Sequence, residues 1–442
     1  MKKSVKNIVI LALAALAGAK TCPAFQSRTE LLSNGLKVVM VEDHKSPVVT
    51  FQIWYKVGSK DEKTGRTGIS HVLEHMMFKG TAKVPKGRFS RIVAQAGGTE
   101  NAFTGKNYTA YFEKLSSDRL DLSLELEPDR MTNLLLDPKE FKLELAVVKE
   151  ERRSRTDDDP TSAVIEDLYA AAFKVHPYRN PVIGWMTDLN HLTVDEVKKY
   201  YRKYYAPNNA VISVVGDFNP DQLLEKIKKT FGSLPRGTEI KRHRIVEPKQ
   251  IGERRFTIHK QAQLPFVFIG YHVPNLQSPD QYPLEVLNQI LSSGKSSRLY
   301  KTLVYDKKIA LYAGSSYSRQ SASPDLFYFY GGLQPKQTSE EFERSVYEQL
   351  NKMKTEPVSD RELQKAKNQV QASFVYALDS SFYQAMRIGQ LEVIDVDHHY
   401  LNRFVDNIQK VTAKDILRVA GKYFSPRNRT VGVLIPESPK NK

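Results

Sequence analysis

"LTVDEVKKYYRKYYAPNNAVISVVGDF" (residues 192–218) is answered later in the chain by "VTAKDILRVAGKYFSPRNRTVGVLIP" (411–436). Thr193 stands opposite Thr412 and Pro207 opposite Pro426, both 219 residues apart. Each copy reads as a threonine-capped helix, a proline turn and a β-rich strand. A second echo pairs "PVVTFQIWYKVGS" (47–59) with "LPFVFIGYHVPN" (264–275), buried strands each followed by a helix-forming run. After the first comes "GISHVLEHMMF" and after the second "QYPLEVLNQIL", so the repeat keeps its shape while the histidines occur in one copy only.

A duplicated chain of 442 residues exceeds the roughly 250–300 at which single cores stop growing, and two domains are expected. The reading divides it into residues 25–232, a polar Pro- and Gly-bearing linker at 233–253, and residues 254–442. Alternating strands such as "NGLKVVMVED" (34–43) and a long helical region around 115–155 occur in mixed order. The expected fold class is therefore α+β: two homologous α/β sandwich halves, each with a mostly antiparallel sheet packed by helices. Neither half carries a glycine-rich phosphate loop after a strand, and "TGKNY" (104–108) is no Walker motif, so a nucleotide-binding fold lacks its signature.

The composition, 40% apolar and 26% charged, is globular. Residues 1–24 place three lysines before an aliphatic run from Ile8 to Ala19 and then small residues, the layout of a secretory signal peptide too short to cross a bilayer. No other stretch approaches transmembrane length, and a periplasmic location is expected. Cys22 is the only cysteine, which excludes an intrachain disulfide. The formal charge of +16 is scattered, with one cluster in "PRGTEIKRHR" (235–244) and no interleaved aromatics. That pattern describes a solvated surface and gives no nucleic-acid platform.

Within "HVLEHMMFKGT" (71–81), His71 and His75 lie one turn apart on a helix face, about 5–6 Å between Cβ atoms, a spacing one cation can bridge. Their neighbours Val72, Leu73, Met76 and Met77 are apolar, so the helix is expected to be largely buried, and buried histidines need partners. A catalytic zinc takes three protein ligands, so a third must come from elsewhere. The best source is "DPKEFKLELAVVKEERRSRTDDDP" (137–160), where Asp137 can cap, Pro138 suits the first turn and a helix should run to about Ser154. Along it Glu140, Glu144 and Glu151 share one face.

His71-x-x-Glu74-His75, with Glu151 seventy-six residues after the second histidine, resembles the inverted-zincin pattern of the pitrilysin, insulinase and mitochondrial processing peptidase family. "AGGTENAFTGKNYTAYF" (96–112), "HPYRNPVIGW" (176–185), "YYAPNNAVISVVGDF" (204–218) and "SSRLYKTLVY" (296–305) resemble further family blocks, so the similarity spans nearly the whole chain. The resemblance implies a zinc metallopeptidase. His71, His75 and Glu151 would bind Zn²⁺, with Glu150 as the rival third ligand; Glu74 would be the general base and Glu144 a hydrogen-bonding support of the metal site. It also implies that peptide substrates add as an extended strand at Asn101, Ala102 and Phe103.

The family's second half contributes an arginine and, seven residues later, a tyrosine. Here "LVYDKKIALY" (303–312) offers Tyr312, with Tyr305 seven before it and Val304 next to that; Arg298, seven before Tyr305, belongs to a different block. Short family members pair with a sister chain, so the resemblance implies a dimer, with a zinc-less homologous partner supplying the arginine and tyrosine. A non-catalytic assembly scaffold and a peptide-binding chaperone with structural zinc are the readings from other classes.

Overall fold

The computed structural model describes residues 26–437; the signal sequence and Cys22 fall outside the described residues. Two mixed sheets carry the fold. The first contains β1 (Arg28–Leu31), β2 (Lys37–Glu42), β3 (Val48–Tyr55), β4 (Thr99–Thr104), β5 (Thr109–Ser116) and β6 (Ala210–Gly216), in the order β1-β2-β6-β3-β5-β4. The second contains β7 (Arg254–Gln261), β8 (Phe266–Val273), β9 (Ala310–Tyr317), β10 (Asp325–Leu333) and β11 (Arg429–Glu437), in the order β7-β11-β8-β10-β9. Without β1 the two orders coincide strand for strand. In each sheet one pair is parallel, β2 with β6 and β7 with β11, and every other pair is antiparallel. The duplication heard in the sequence is thus a duplication of topology.

Local chemistry explains the matching segments. Thr193 accepts the amide of Glu196 while Glu196 reaches back to the amide of Thr193, and Thr412 and Asp415 do the same at Ala413–Tyr423. These reciprocal caps satisfy amides that a helix start leaves without partners. Pro207 and Pro426 then open short 3₁₀ turns that deliver the chain into β6 and β11.

The region around 115–155 is not one helix. It breaks between Asp121–Thr132 and Pro138–Arg152, where Leu134 bridges to Thr81 and Leu136 adopts a positive φ. Asp137 restarts the helix by accepting the amides of Lys139 and Glu140. The second helix ends at Arg152 and widens into a π-helical turn over Arg153–Asp157.

Each half lends a helix to the other half's sheet. Helix Pro160–Ala172 buries Val164, Leu168 and Ala172 against Phe266, Phe268 and Leu434 of the second sheet. Helix Ser381–Glu392 buries Ala385, Ile388 and Leu391 against Val39, Trp54, Val211 and Val215 of the first. The approach of the latter is close enough that a Cβ at Gly389 would meet the buried Trp54 indole at 2.1 Å. Gly389→Ala should therefore lower unfolding stability by about 1–3 kcal/mol or more through overpacking. Gly421→Ala, with nothing within 4 Å of the added Cβ, should leave stability unchanged or raise it by about 0.5–1 kcal/mol. Equilibrium denaturation of the two variants decides, and equal midpoints would contradict this packing.

Candidate metal centre

The helix bearing the two histidines, Ile69–Met76, starts at Gly68, whose φ of 85° is left-handed and whose missing Cβ would lie 2.5 Å from the Ile183 carbonyl. Its side chain cannot cap, so Glu62 does, accepting the amides of Gly68 at 2.8 Å and Ser70 at 2.9 Å. Burial pushes the Glu62 carboxyl up to about 8 while those two amides pull it down. Ile69, Val72, Leu73 and Met76 fill the core of the first half, which leaves His71, Glu74 and His75 on the opposite face.

Across from that face runs helix Pro138–Arg152, and its glutamates meet the motif in register. Glu140 pairs with Lys86 at 2.6 Å, and Glu144 accepts from His75 Nδ1 at 3.2 Å and from Lys79. Glu151 Oε2 lies 3.4 Å from His75 Nε2 and 3.8 Å from His71 Nε2. Glu151 Oε1 is held by Arg155 at 2.6 Å. Glu150 lies on the solvent side, 68% exposed and paired with Arg153, while Glu151 is 16% exposed.

These separations test whether a zinc ion fits. One ligand atom from each of His71, His75 and Glu151 falls in a group whose members lie within 4.8 Å of one another. Both carboxylate–imidazole distances are too long for good hydrogen bonds. They are close to the roughly 3.4 Å between ligand atoms that bonds of about 2.1 Å impose around a tetrahedral ion. The Glu144 contact engages Nδ1 of His75 and so leaves Nε2 facing the gap, the arrangement that orients a metal-binding imidazole. Burial first, and then the neighbouring His75, lower the His71 pKa to about 3, so its ring is neutral as a ligand must be. His71 Nδ1 is buried with no hydrogen-bond partner among the described residues.

Glu74 accepts a hydrogen bond from Thr104 Oγ1, and burial raises its pKa against that bond. Thr104 ends β4, which among the described residues pairs only with β5 and so presents an open edge. Asn101, Ala102 and Phe103 lie on that edge strand and line a cavity of about 1120 Å³ together with the two histidines and Glu151. The Phe103 ring packs edge-on against Trp54, with centroids 5.3 Å apart, so this residue both packs on the core and lines the cavity. In the second half Tyr312 is 47% exposed on the edge strand β9, and Arg298 is committed to Glu362 through bonds of 2.9 and 2.7 Å. Glu62, Lys79, Thr104 and Arg155 contact the candidate centre's helix or side chains and are not among the residues to which the sequence pointed. Glu62 alone had a local signal, an acidic residue shortly before a helix that begins at glycine.

Two halves of one strand order hold a His-x-x-Glu-His helix facing a carboxylate helix, the layout of a candidate metal-dependent hydrolase. Residues 37–185 match the family model described as insulinase (peptidase family M16), and residues 191–370 match the peptidase M16 inactive domain. The chain is 36% identical to zinc protease PqqE of Helicobacter pylori over 435 residues, covering 97% of each. Its fold is similar to the crystal structure of a protease from Helicobacter pylori, with a TM-score of 0.90, 36% identity, and 93% of this chain and 99% of that one covered. At 17% identity and a TM-score of 0.77 it shares the fold of the periplasmic protease PqqL from Escherichia coli, covering 93% of this chain and 49% of that one. The chain belongs to peptidase family M16. It is a zinc metallopeptidase, and no helix among the described residues is long and apolar enough to cross a membrane.

Proposed function

We propose that this chain is the zinc-bearing subunit of a two-chain periplasmic endopeptidase acting on unfolded peptides or short polypeptides. The observation that carries the site assignment is the convergence of His71, His75 and Glu151 on one point at non-hydrogen-bonding distances. His71, His75 and Glu151 would hold the zinc, which would supply a Lewis acid for a water and a peptide carbonyl. Glu74 takes the proton of the attacking water and returns it to the leaving amine. The Thr104 hydroxyl aims its carboxylate. Glu144 positions His75, and Lys79 holds Glu144 in turn. The peptide lies along the open edge of β4, where Asn101, Ala102 and Phe103 offer backbone donors and acceptors with little sequence preference.

The two-chain reading is supported by what the second half lacks. No arginine stands seven residues before Tyr312, and Arg298 is already neutralised by Glu362. A solved protease of this fold, described as periplasmic, is about twice as long, as two such chains would be. The N-terminal signal pattern supports export. Zinc content and peptide hydrolysis of the mature chain, alone and mixed with a zinc-less homologue, test this reading. Zinc in the lone chain with turnover only in the mixture is expected. Full turnover by the lone chain would remove the partner requirement, and a zinc-free, inactive chain would favour a scaffold.

A further inference from the structure

Beside the zinc-site cavity lies a second, solvent-open one of about 520 Å³ where the tips of the two sheets meet. Lys106 and Tyr169 line both, so the two cavities adjoin. Lys106 sits in the turn between β4 and β5, Arg319 and Asp325 flank the turn between β9 and β10, Glu285 comes from helix Gln281–Ser292, and Arg387 from helix Ser381–Glu392. Three cations thus face two carboxylates.

The pairings leave one cation over. Arg319 Nε meets Glu285 at 3.1 Å, its Nη1 donates to Tyr400 at 3.2 Å, and its guanidinium stacks on Phe404. Lys106 Nζ stands 3.3 Å from the Tyr169 ring centroid and reaches Asp325 only at 3.7 Å. Arg387 donates to the side-chain carbonyl of Gln320 at 2.6 Å and has no carboxylate within ion-pair distance among the described residues. Burial and the facing Arg319 disfavour its charge, and Glu285 offsets them in part. A half-buried guanidinium with two other cations beside it and no ion pair of its own is placed to receive an anion that enters this open polar cleft through charge-assisted hydrogen bonds.

We propose that this cavity binds a carboxylate or similarly small oxyanion, held by Arg387 with Lys106 and Arg319 around it. Two sources share that chemistry. One is a carboxylate carried by the peptide in the adjoining cavity: a chain paired with β4 and continued past Thr104 arrives at the turn that holds Lys106. That source rests on the proposed function. The other is a free small anion, which needs no peptidase activity.

The test uses the assembled enzyme, wild type, Arg387→Gln and Arg387→Lys. Its first arm compares KM and kcat for one peptide with a free C-terminal carboxylate and its C-terminal amide. Its second arm measures the unfolding temperature against formate at constant ionic strength, a readout independent of turnover. A peptide source predicts a KM about tenfold lower for the carboxylate form, as one charge-assisted bond supplies. Arg387→Gln abolishes that preference with kcat kept, and Arg387→Lys retains part of it. A free-anion source predicts formate-dependent stabilisation in wild type that Arg387→Gln loses, with both peptides alike. Equal KM values together with a formate response shared by wild type and Arg387→Gln would overturn the assignment. An enzyme that hydrolyses neither peptide would count against the proposed function alone, since the formate arm still reads the cavity.

Discussion

Glu74→Gln is expected to keep its zinc and lose between about a hundredfold and ten-thousandfold of its turnover, the contribution of a positioned general acid–base group. Glutamine has the shape of glutamate and its carbonyl still accepts the Thr104 hydroxyl, so the helix from Ile69 to Met76 should be undisturbed. What the amide lacks is a basic oxygen to take up the proton. Glu74 is not among the residues whose ligand atoms converge, so removing its charge should leave the metal's donor set intact. Metal analysis alongside peptide turnover in the assembled enzyme measures both quantities. Turnover at the wild-type rate would remove Glu74 from the mechanism, and zinc loss would reassign it as a ligand.

The second large effect separates three carboxylates on one helix. Glu151→Gln should weaken zinc binding by more than about a hundredfold, because a ligand counts for more than the 10–100-fold typical of an outer partner. Glu144→Gln should fall within that range, since it acts on the metal through His75 Nδ1. Glu150→Gln should change nothing, because its carboxylate is 68% exposed and paired with Arg153. Chelator competition across the three variants gives the order. If Glu150→Gln lost the metal and Glu151→Gln kept it, the register of the helix Pro138–Arg152 on the histidine helix would be wrong by one residue.

Much of the candidate site's layout was legible because its grammar is local. Histidines four apart share a helix face in any context, and the cap at Asp137 with Pro138 sets the phase that turns Glu140, Glu144 and Glu151 to one side. The duplication was legible for the same reason, since Thr193 and Thr412 each build their helix start with a residue three positions away. The break at 133–137 was harder to see, because what ends the first helix is a bridge from Leu134 to Thr81, a strand-like contact with a distant segment.

Local spacing therefore determined the kinds of element, their repetition, the two imidazoles and the carboxylate stripe. Tertiary structure alone decided which glutamate faces the imidazoles, that Glu62 caps the histidine helix and that Thr104 steers Glu74. It also decided that helices Pro160–Ala172 and Ser381–Glu392 change sides, and that Arg387 has no ion pair among the described residues. The physical reason is range: helix and strand periodicities are set by neighbours a few residues away. Pairing, burial and charge compensation depend on which segments meet in space, and no short window of residues records that.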